Sequence, residues 1–342
     1  MPLLSGQDPQ TLAQAAHVLA DGGLLAFPTE TVYGLGARAD DDAAAAQIFA
    51  AKGRPADHPL IVHVTDASAA QAFAAHWPPA AQVLAQHFWP GPLTLIVPRR
   101  PGVGTAAAGG HASIGLRCPD HPVALDLLAR ARVLGVLGVA GPSANRFGRV
   151  SPTTAAHVLD EFGPELPVLD GGTCREGIES TIIDCTRAHP ALLRPGTTPR
   201  AVIEGVLRQE LGFTLVERDE ASPRASGTLA SHYAPDALVR LMSEVEMAQQ
   251  LSMLGVARPQ GEGLAQTAAG AIIGVYSRTA PHAQPGVLHR TMPAHPAQVA
   301  HELFAVLRQF DARGVRQIWV QTPPEGAEWE GVRDRLLRAA TR

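Results

Sequence analysis

Leu24-Leu25-Ala26-Phe27-Pro28-Thr29-Glu30-Thr31-Val32-Tyr33-Gly34-Leu35-Gly36-Ala37-Arg38-Ala39 is the stretch on which the reading of this chain turns. Residues 24–27 read as a short buried strand, ended by Pro28, which has no N–H to offer a ladder. Gly34 to Ala39 then matches the degenerate dinucleotide pattern, after a strand and before a helix. Asp57 lies where a ribose-binding acid would stand. Against this, Pro28 and Thr29-Glu30-Thr31 lengthen a passage that the fingerprint keeps short. The pattern points to an α/β chain without establishing a nicotinamide site. A second match, Gly102 to Ala107, precedes no clear helix.

Working outward, Asp8 caps a helix to about residue 20, with Leu12, Ala16 and Leu19 on one face and Gly22-Gly23 as its stop. Residues 42–51 are Ala-rich and helical. Further strands are expected at 60–64, 93–97, 113–117, 136–139, 180–184 and 191–194, with helices near 80–88, 122–131, 153–161 and 199–211. The fold class is α/β or α+β. Residues 217–235 are polar, carry Pro223, Gly227 and Pro235, and show no periodic apolar face. The expected organisation is a first domain over 1–212, a linker over 213–237 and a small α/β domain over 238–342. In that last part, helices are expected near 244–254, 296–313 and 328–340, strands at 272–276 and 317–321, and a Gly- and Ala-rich loop at 255–270.

The 342 residues suffice for two domains, each with its own core. No run of 18 apolar residues offers a membrane span, and no basic-then-apolar leader opens the chain. A net charge of -4 gives no global basic footprint for nucleic acid. Cys118, Cys174 and Cys185 lack CxxC spacing, which argues against structural zinc or a disulfide framework and for a cytoplasmic protein. Among 28 basic residues, Lys52 is the sole lysine. A Walker A loop is excluded, because Lys52 is followed by Gly53.

Lys52-Gly53-Arg54-Pro55 supplies two cations beside a fixed non-helical turn, which suits a polyphosphate or a solvated basic tip. The expectation is that both cations are exposed. His58 and His63 follow without metal spacing. Gly141-Pro142-Ser143-Ala144-Asn145 places a hydroxyl and an amide at a strand's carboxyl end, where α/β proteins build ligand sites. Ser151-Pro152-Thr153 reads as a helix N-cap that could also contact phosphate. Gly177-Ile178-Glu179-Ser180-Thr181 enters a strand, but no GxSxG elbow makes Ser180 a nucleophile, and no HExxH occurs. Small polar and cationic groups without a nucleophile–base pair favour catalysis by positioning and charge neutralisation.

Together, Phe27 to Leu35, Lys52-Gly53-Arg54-Pro55, Pro59 to His63, Trp89 to Thr94, Pro142-Ser143-Ala144-Asn145, Gly177 to Thr181 and Leu193-Arg194-Pro195-Gly196 resemble the YrdC-like threonylcarbamoyl-adenylate synthases. His232-Tyr233-Ala234-Pro235 resembles the linker signature of their longer, two-domain form. The resemblance implies a twisted open sheet with a concave cationic site, plus a smaller Rossmann-like C-terminal domain. It implies synthesis of L-threonylcarbamoyl-AMP from L-threonine, bicarbonate or carbon dioxide, and ATP, with release of pyrophosphate. That product feeds a downstream tRNA threonylcarbamoyl-transfer machinery, with no stable tRNA binding or membrane expected here. Lys52, Arg54, Ser143 and Asn145 carry the family's Lys-x-Arg and Ser-x-Asn elements, the two cations facing the triphosphate. Arg54, His58, Ser113, Ser143, Ser151, Arg194 and Tyr233 are the implied ATP contacts. Thr31, His63, Arg117, the Gly141 backbone and Ser180 are the implied threonine contacts, with Arg117 on the carboxylate. Mg2+ is expected with ATP, held by phosphate and water rather than by a protein cage.

Three positions depart from the family pattern: His58 replaces the usual Asn, Gly141 the usual Ala, and Ser226-Gly227-Thr228 a Ser-Pro-Gly-Met. The alternatives left open are a non-catalytic RNA-binding module using arginines 99, 100, 117, 146, 149 and 175, and a nicotinamide enzyme using Gly34 and Gly36.

Overall fold

The computed structural model describes residues 3–256, 273–279 and 286–341. It divides into two compact units, one formed by Met1–Phe147 with Ser151–Thr228, the other by Gly148–Val150 with Leu229–Arg342.

The first unit runs β1 (Leu4–Ser5), α1 (Pro9–Ala20), β2 (Leu25–Phe27), β3 (Gly34–Arg38), α2 (Asp42–Lys52), β4 (Ile61–His63), α3 (Ala67–Ala70), α4 (Pro79–Phe88), β5 (Leu93–Pro98) and β6 (Ser113–Arg117). It continues through α5 (Pro122–Val133), β7 (Val139–Ala140), α6 (Ala155–Phe162), β8 (Leu169–Asp170), β9 (Thr181–Asp184), β10 (Ala191–Arg194) and α7 (Arg200–Leu211). Eight strands form one mixed sheet in the order β10-β9-β5-β6-β4-β7-β3-β2, and β1 pairs with β8.

Gly34 and Gly36 lie in a strand, and this corrects the dinucleotide reading. β3 pairs antiparallel with β2, Leu25 opposite Gly36 and Phe27 opposite Gly34. A Cβ on Gly34 would lie 3.1 Å from the Phe27 ring, and one on Gly36 3.0 Å from it. These glycines make room for an aromatic ring, not for a pyrophosphate. The strand expected at 136–139 is confined to β7, which pairs with β3 on one side and β4 on the other. Gly138 before it abuts Phe73 and Val62 and accepts from Ala39 N at 2.8 Å, while Val136 N donates back to Ala131 O of α5.

Side chains alternate between the faces of a strand, so each face can be read separately. On one face, Val62, Leu95, Leu116 and Ile183 join α2, α4 and α7 in the main core. On the other, Ile61, Ile96, Ile182, Ala191 and Leu193 form a smaller cluster, and Ala225 packs against it. Ser113, Gly115 and Arg117 of β6 share that second face with His63 of β4 and Thr94 of β5. At the β2–β7 end α1 and α5 cover this face over Leu25, Phe27 and Val139, and the polar residues gather beyond that cover. The segment 213–228 stays with this unit through Arg187–Asp219 at 2.8 Å and Arg194 Nη1 donating to Ser226 O at 2.9 Å.

The second unit contains β11 (Leu238–Met242), α8 (Glu244–Val256), β12 (Ile273–Ser277), β13 (Val287–Thr291), α9 (Pro296–Ala312), β14 (Gln317–Gln321), a 3-10 turn (Ala327–Trp329) and α10 (Glu330–Ala340). Its four strands are all parallel, in the order β11-β14-β12-β13, as expected of a small Rossmann-like sheet. α9 buries Val299, Leu303, Phe304, Leu307 and Phe310, and its Phe310 ring occupies the space beside Gly274. The strand β13 is half-buried to exposed along its length, so its apolar pattern is weak and the sequence gives no sign of it. The loop expected at 255–270 falls, from 257 on, outside the described residues.

Candidate active site

α2 delivers the lysine. Asp41 caps its start by accepting from Ala43 N and Ala44 N, and Gly53 ends it in the left-handed region at φ 63°. Glycine adopts that conformation without a Cβ clash. The final residue, Lys52, is only 3% exposed. Its Nζ donates to Ser143 O at 2.6 Å and to Asn145 O, while Phe147 N donates to Lys52 O at 2.9 Å. Burial, then the nearby Arg54 charge, holds its pKa well below the usual lysine range. The expected exposed cation is thus a buried clamp on the Ser143-Ala144-Asn145 turn. Four-carbon reach lets one ammonium bond two carbonyls of the turn, of which Ser143 O also accepts from Asn145 N.

Arg54 is also buried, against the expectation of exposure. Its Nη2 donates to Pro59 O at 2.9 Å and lies 3.4 Å from Ser226 Oγ, and its guanidinium carbon sits 5.9 Å from the Phe147 ring centre. His58 meets the same ring edge-on at 5.5 Å. Burial and Arg54 push its pKa down, so an imidazole standing where the family has Asn is neutral at neutral pH and can act as a single donor. Ser143 and Asn145 are joined by Asn145 N donating to Ser143 O at 2.9 Å, and Asn145 Nδ2 donates to Arg146 O at 2.7 Å.

A third buried cation is Arg117, at the end of β6. Its Nη1 donates to Thr31 Oγ1 at 2.9 Å, its Nε to Gly91 O at 3.3 Å, and its Nη2 stands 2.7 Å from Glu30 Oε2. Thr31 also shares a hydroxyl contact of 2.9 Å with Thr29. His63 is opposite Arg117 in the β4–β6 ladder, and burial followed by the Arg117 charge pushes its pKa down to about 3. A Cβ on Gly141 would lie 3.0 Å from His63 Nδ1 and 2.9 Å from Phe27, which explains Gly at this position. Ser180 Oγ meets Thr94 Oγ1 at 2.8 Å, and the fully buried Arg194 donates to Ser180 O from Nη2 at 2.8 Å.

Two expected residues take other places. Ser151 does not cap a helix. α6 begins at Ala155 with Thr154 as its cap, and the buried Ser151 hydroxyl donates to the Glu179 carboxylate. Tyr233 belongs to the second unit, where it stacks on Phe304 at 5.4 Å with Arg335 over its ring at 5.3 Å, and it holds a positive φ of 60°. Ser113 opens β6 on the same face as Arg117, about 13 Å away at ~3.3 Å per residue. Hydrogen bonds and register thus join Lys52, Ser143 and Asn145, then Arg54 through Ser226 to Arg194 and Ser180, and separately Thr31, His63 and Arg117. A cavity of about 730 Å3 lies elsewhere on this unit, lined by Ser5, His121, Asp126 and Asp170 among others, and it takes in none of the expected site residues.

Sequence reasoning does not single out Glu30, Thr94, Glu179 or Ser226. Glu30 had a usable signal: it is a lone carboxylate in the otherwise uncharged run 24–37, and a charge buried there needs a partner.

Residues 17–196 match the Sua5/YciO/YrdC family, described as telomere recombination, and residues 198–341 match the C-terminal domain of threonylcarbamoyl-AMP synthase. The chain belongs to the Sua5/YrdC family. The threonylcarbamoyl-AMP synthase of Bacillus subtilis is 37% identical over 341 residues, covering 98% of this chain and 94% of that protein. That of Pyrococcus abyssi is 43% identical over 227 residues, or 66% of each chain. The crystal structure of P. abyssi Sua5 complexed with L-threonine superposes with a TM-score of 0.83 at 33% identity, covering 99% of this chain and 97% of that one. As a two-domain Sua5 protein, the chain has the family's Lys-x-Arg and Ser-x-Asn elements in direct contact.

The arginines invoked for an RNA-binding face are largely committed to internal partners. Arg117 faces Glu30, Arg149 pairs with Asp236 and Arg175 with Asp120. Arg99 donates to His111 O and Arg100 to Gln71 O. None of the helices in the described residues is long and apolar enough to cross a membrane.

Proposed function

We infer that this protein is a threonylcarbamoyl-AMP synthase, using L-threonine, bicarbonate or carbon dioxide, and ATP, and releasing pyrophosphate. Full-length similarity to a synthase of that name carries the reading. The buried polar face of the sheet supports it, because one strand end offers a guanidinium beside two hydroxyls and another edge offers a lysine-clamped Ser-x-Asn turn. In this reading Arg117 takes the threonine carboxylate, with Thr31, His63, Ser180 and the Gly141 backbone around the amino acid. Arg54, His58, Ser113, Ser143, Asn145, Ser151 and Arg194 serve the nucleotide, and Lys52 acts by holding the Ser143–Asn145 turn.

Both nucleophiles come from the substrates. The threonine amine attacks carbon dioxide with loss of a proton, or bicarbonate with loss of water, to give a carbamate, and a carbamate oxygen attacks the α-phosphorus as pyrophosphate leaves. The protein's work is to align two anions and spread the developing charge, which needs no reactive Ser or Cys. Mg2+ would travel with ATP. Among the described residues no group of three or more His, Cys, Asp or Glu is arranged to hold a metal, and this ion favours phosphate oxygens and water. The product would pass to a tRNA threonylcarbamoyl-transfer machinery in the cytoplasm, a compartment that suits three free, buried cysteines.

The test is pyrophosphate release from ATP with threonine and bicarbonate withheld in turn, together with mass detection of threonylcarbamoyl-AMP. Release that needs both, with the adduct present, is the expected outcome. Release indifferent to threonine would overturn the substrate.

A further inference from the structure

We propose that Glu30 is a positioning residue of the amino-acid site, holding the Arg117 guanidinium in the orientation that receives a substrate carboxylate. This rests on the reading of Arg117 given above.

The pair is costly to bury. The side chains of Glu30 and Arg117 are 1% and 4% exposed, with Oε2 and Nη2 2.7 Å apart. Withdrawing two charges from water is offset only when geometry is good and further hydrogen bonds satisfy both groups. Arg117 has such bonds, to Thr31 Oγ1 and Gly91 O. Glu30 has none: neither of its carboxylate oxygens has a hydrogen-bond partner among the described residues. Apolar side chains of similar volume often replace such a pair without loss of stability. What a carboxylate supplies here, and an apolar group would not, is a countercharge that fixes one nitrogen of the fork.

That nitrogen is the informative one. Nη2 is close enough to Glu30 for an ion pair, yet it makes no hydrogen bond among the described residues. The fork is thus fixed at Nε by Gly91 O, at Nη1 by Thr31 Oγ1 and at Nη2 by the Glu30 charge, and two of its five N–H groups remain for an incoming carboxylate. His121, the histidine that feels the Glu30 charge, has its pKa pushed down by burial, so it does not compete as a second cation at neutral pH. Glu30 reaches this place because Thr29 and Thr31 pin the turn after β2: Thr29 Oγ1 accepts from Val32 N at 3.2 Å and contacts Thr31 Oγ1.

The test is calorimetric titration of the full chain with threonine and, separately, with ATP, for wild type, Glu30→Gln and Glu30→Asp. Gln keeps the shape and removes the charge, while Asp keeps the charge and withdraws it by one methylene. We expect the threonine Kd to rise about tenfold or more in Glu30→Gln, the loss of a charge-assisted contact. Glu30→Asp should show a smaller rise, and the ATP Kd should stay within about twofold in both. If Glu30→Gln fails to fold, Glu30→Asp decides alone by the same split. Unchanged threonine affinity in the folded variants, or threonine and ATP affinities falling together, would overturn the positioning role. A wild type that binds ATP but no threonine would instead overturn the amino-acid site itself.

Discussion

Lys52 and Arg117 are both cations withdrawn from water in the same unit, and they are held in opposite ways. Lys52 has no ion-pair partner among the described residues and gives its protons to the carbonyls of Ser143 and Asn145. Arg117 faces a buried carboxylate and a hydroxyl. A cation fixed to main-chain carbonyls sets the course of a loop, so its removal damages everything the loop carries. A cation balanced by a carboxylate presents a charge to a ligand, so its removal should damage the binding of that ligand. The two sites differ in what they organise, although the residue types look interchangeable in the sequence.

The largest effect should follow Lys52→Met, which keeps the chain length and removes the donors. Ser143 O and Asn145 O lose the ammonium donor, Ser143 O keeping Asn145 N, at a cost of about 1–3 kcal/mol. Activity should fall by on the order of a hundredfold or more, with the Tm dropping about 2–4 °C per kcal/mol lost. Assay and thermal unfolding check this together. An inactive variant with an unchanged Tm would return Lys52 to the role of an exposed phosphate cation and erase the contrast.

Next comes Arg117→Lys, which preserves charge and loses the planar fork. The threonine KM should rise about tenfold or more while the ATP KM moves little. Steady-state kinetics with each substrate varied would show it. A parallel rise in both values would mean that Arg117 organises the whole site, as Lys52 does.

Much of this was legible. The Lys-x-Arg, Ser-x-Asn and Gly-Ile-Glu-Ser-Thr segments stand at strand and helix ends where the apolar runs predict them, and most core strands of the first unit follow their hydrophobic runs. Three features were not. Gly34 and Gly36 look like a phosphate loop because the space beside a glycine is filled by Phe27 only once β2 and β3 pair. Lys52 looks exposed because nothing local shows that a turn 91 residues away will bring two carbonyls to its ammonium. Ser151 looks like a helix cap because its competitor Thr154, three residues on, offers the same chemistry. In each case a long-range contact decided between local readings that composition leaves equal.

A smaller effect concerns acid stability. His63 has its pKa lowered to about 3 in the fold against about 6.5 when unfolded. The unfolded chain therefore binds the extra proton first as pH falls. Stability is lost from about pH 6.5 downward, at up to about 1.4 kcal/mol per pH unit from this group. Denaturant unfolding between pH 7 and 4.5 should show His63→Gln with a shallower acid limb than wild type. An equal slope would mean that the imidazole already charges in the fold, beside Arg117.

The smallest effect belongs to Arg175→Ala. Its pairs with Asp120 and Glu176 are solvent-exposed, with 63% of its side chain accessible. Such pairs contribute about 0–1 kcal/mol. Activity and Tm should be close to wild type, which sets the baseline against which the buried cations are judged.

The most direct test of the contrast is to titrate ATP and threonine, one at a time, into Lys52→Met and Arg117→Lys by calorimetry. The account predicts that Lys52→Met weakens ATP more than threonine, and that Arg117→Lys weakens threonine and spares ATP. Equal losses of both ligands in both variants would contradict it, leaving one undivided site in place of two differently built ones.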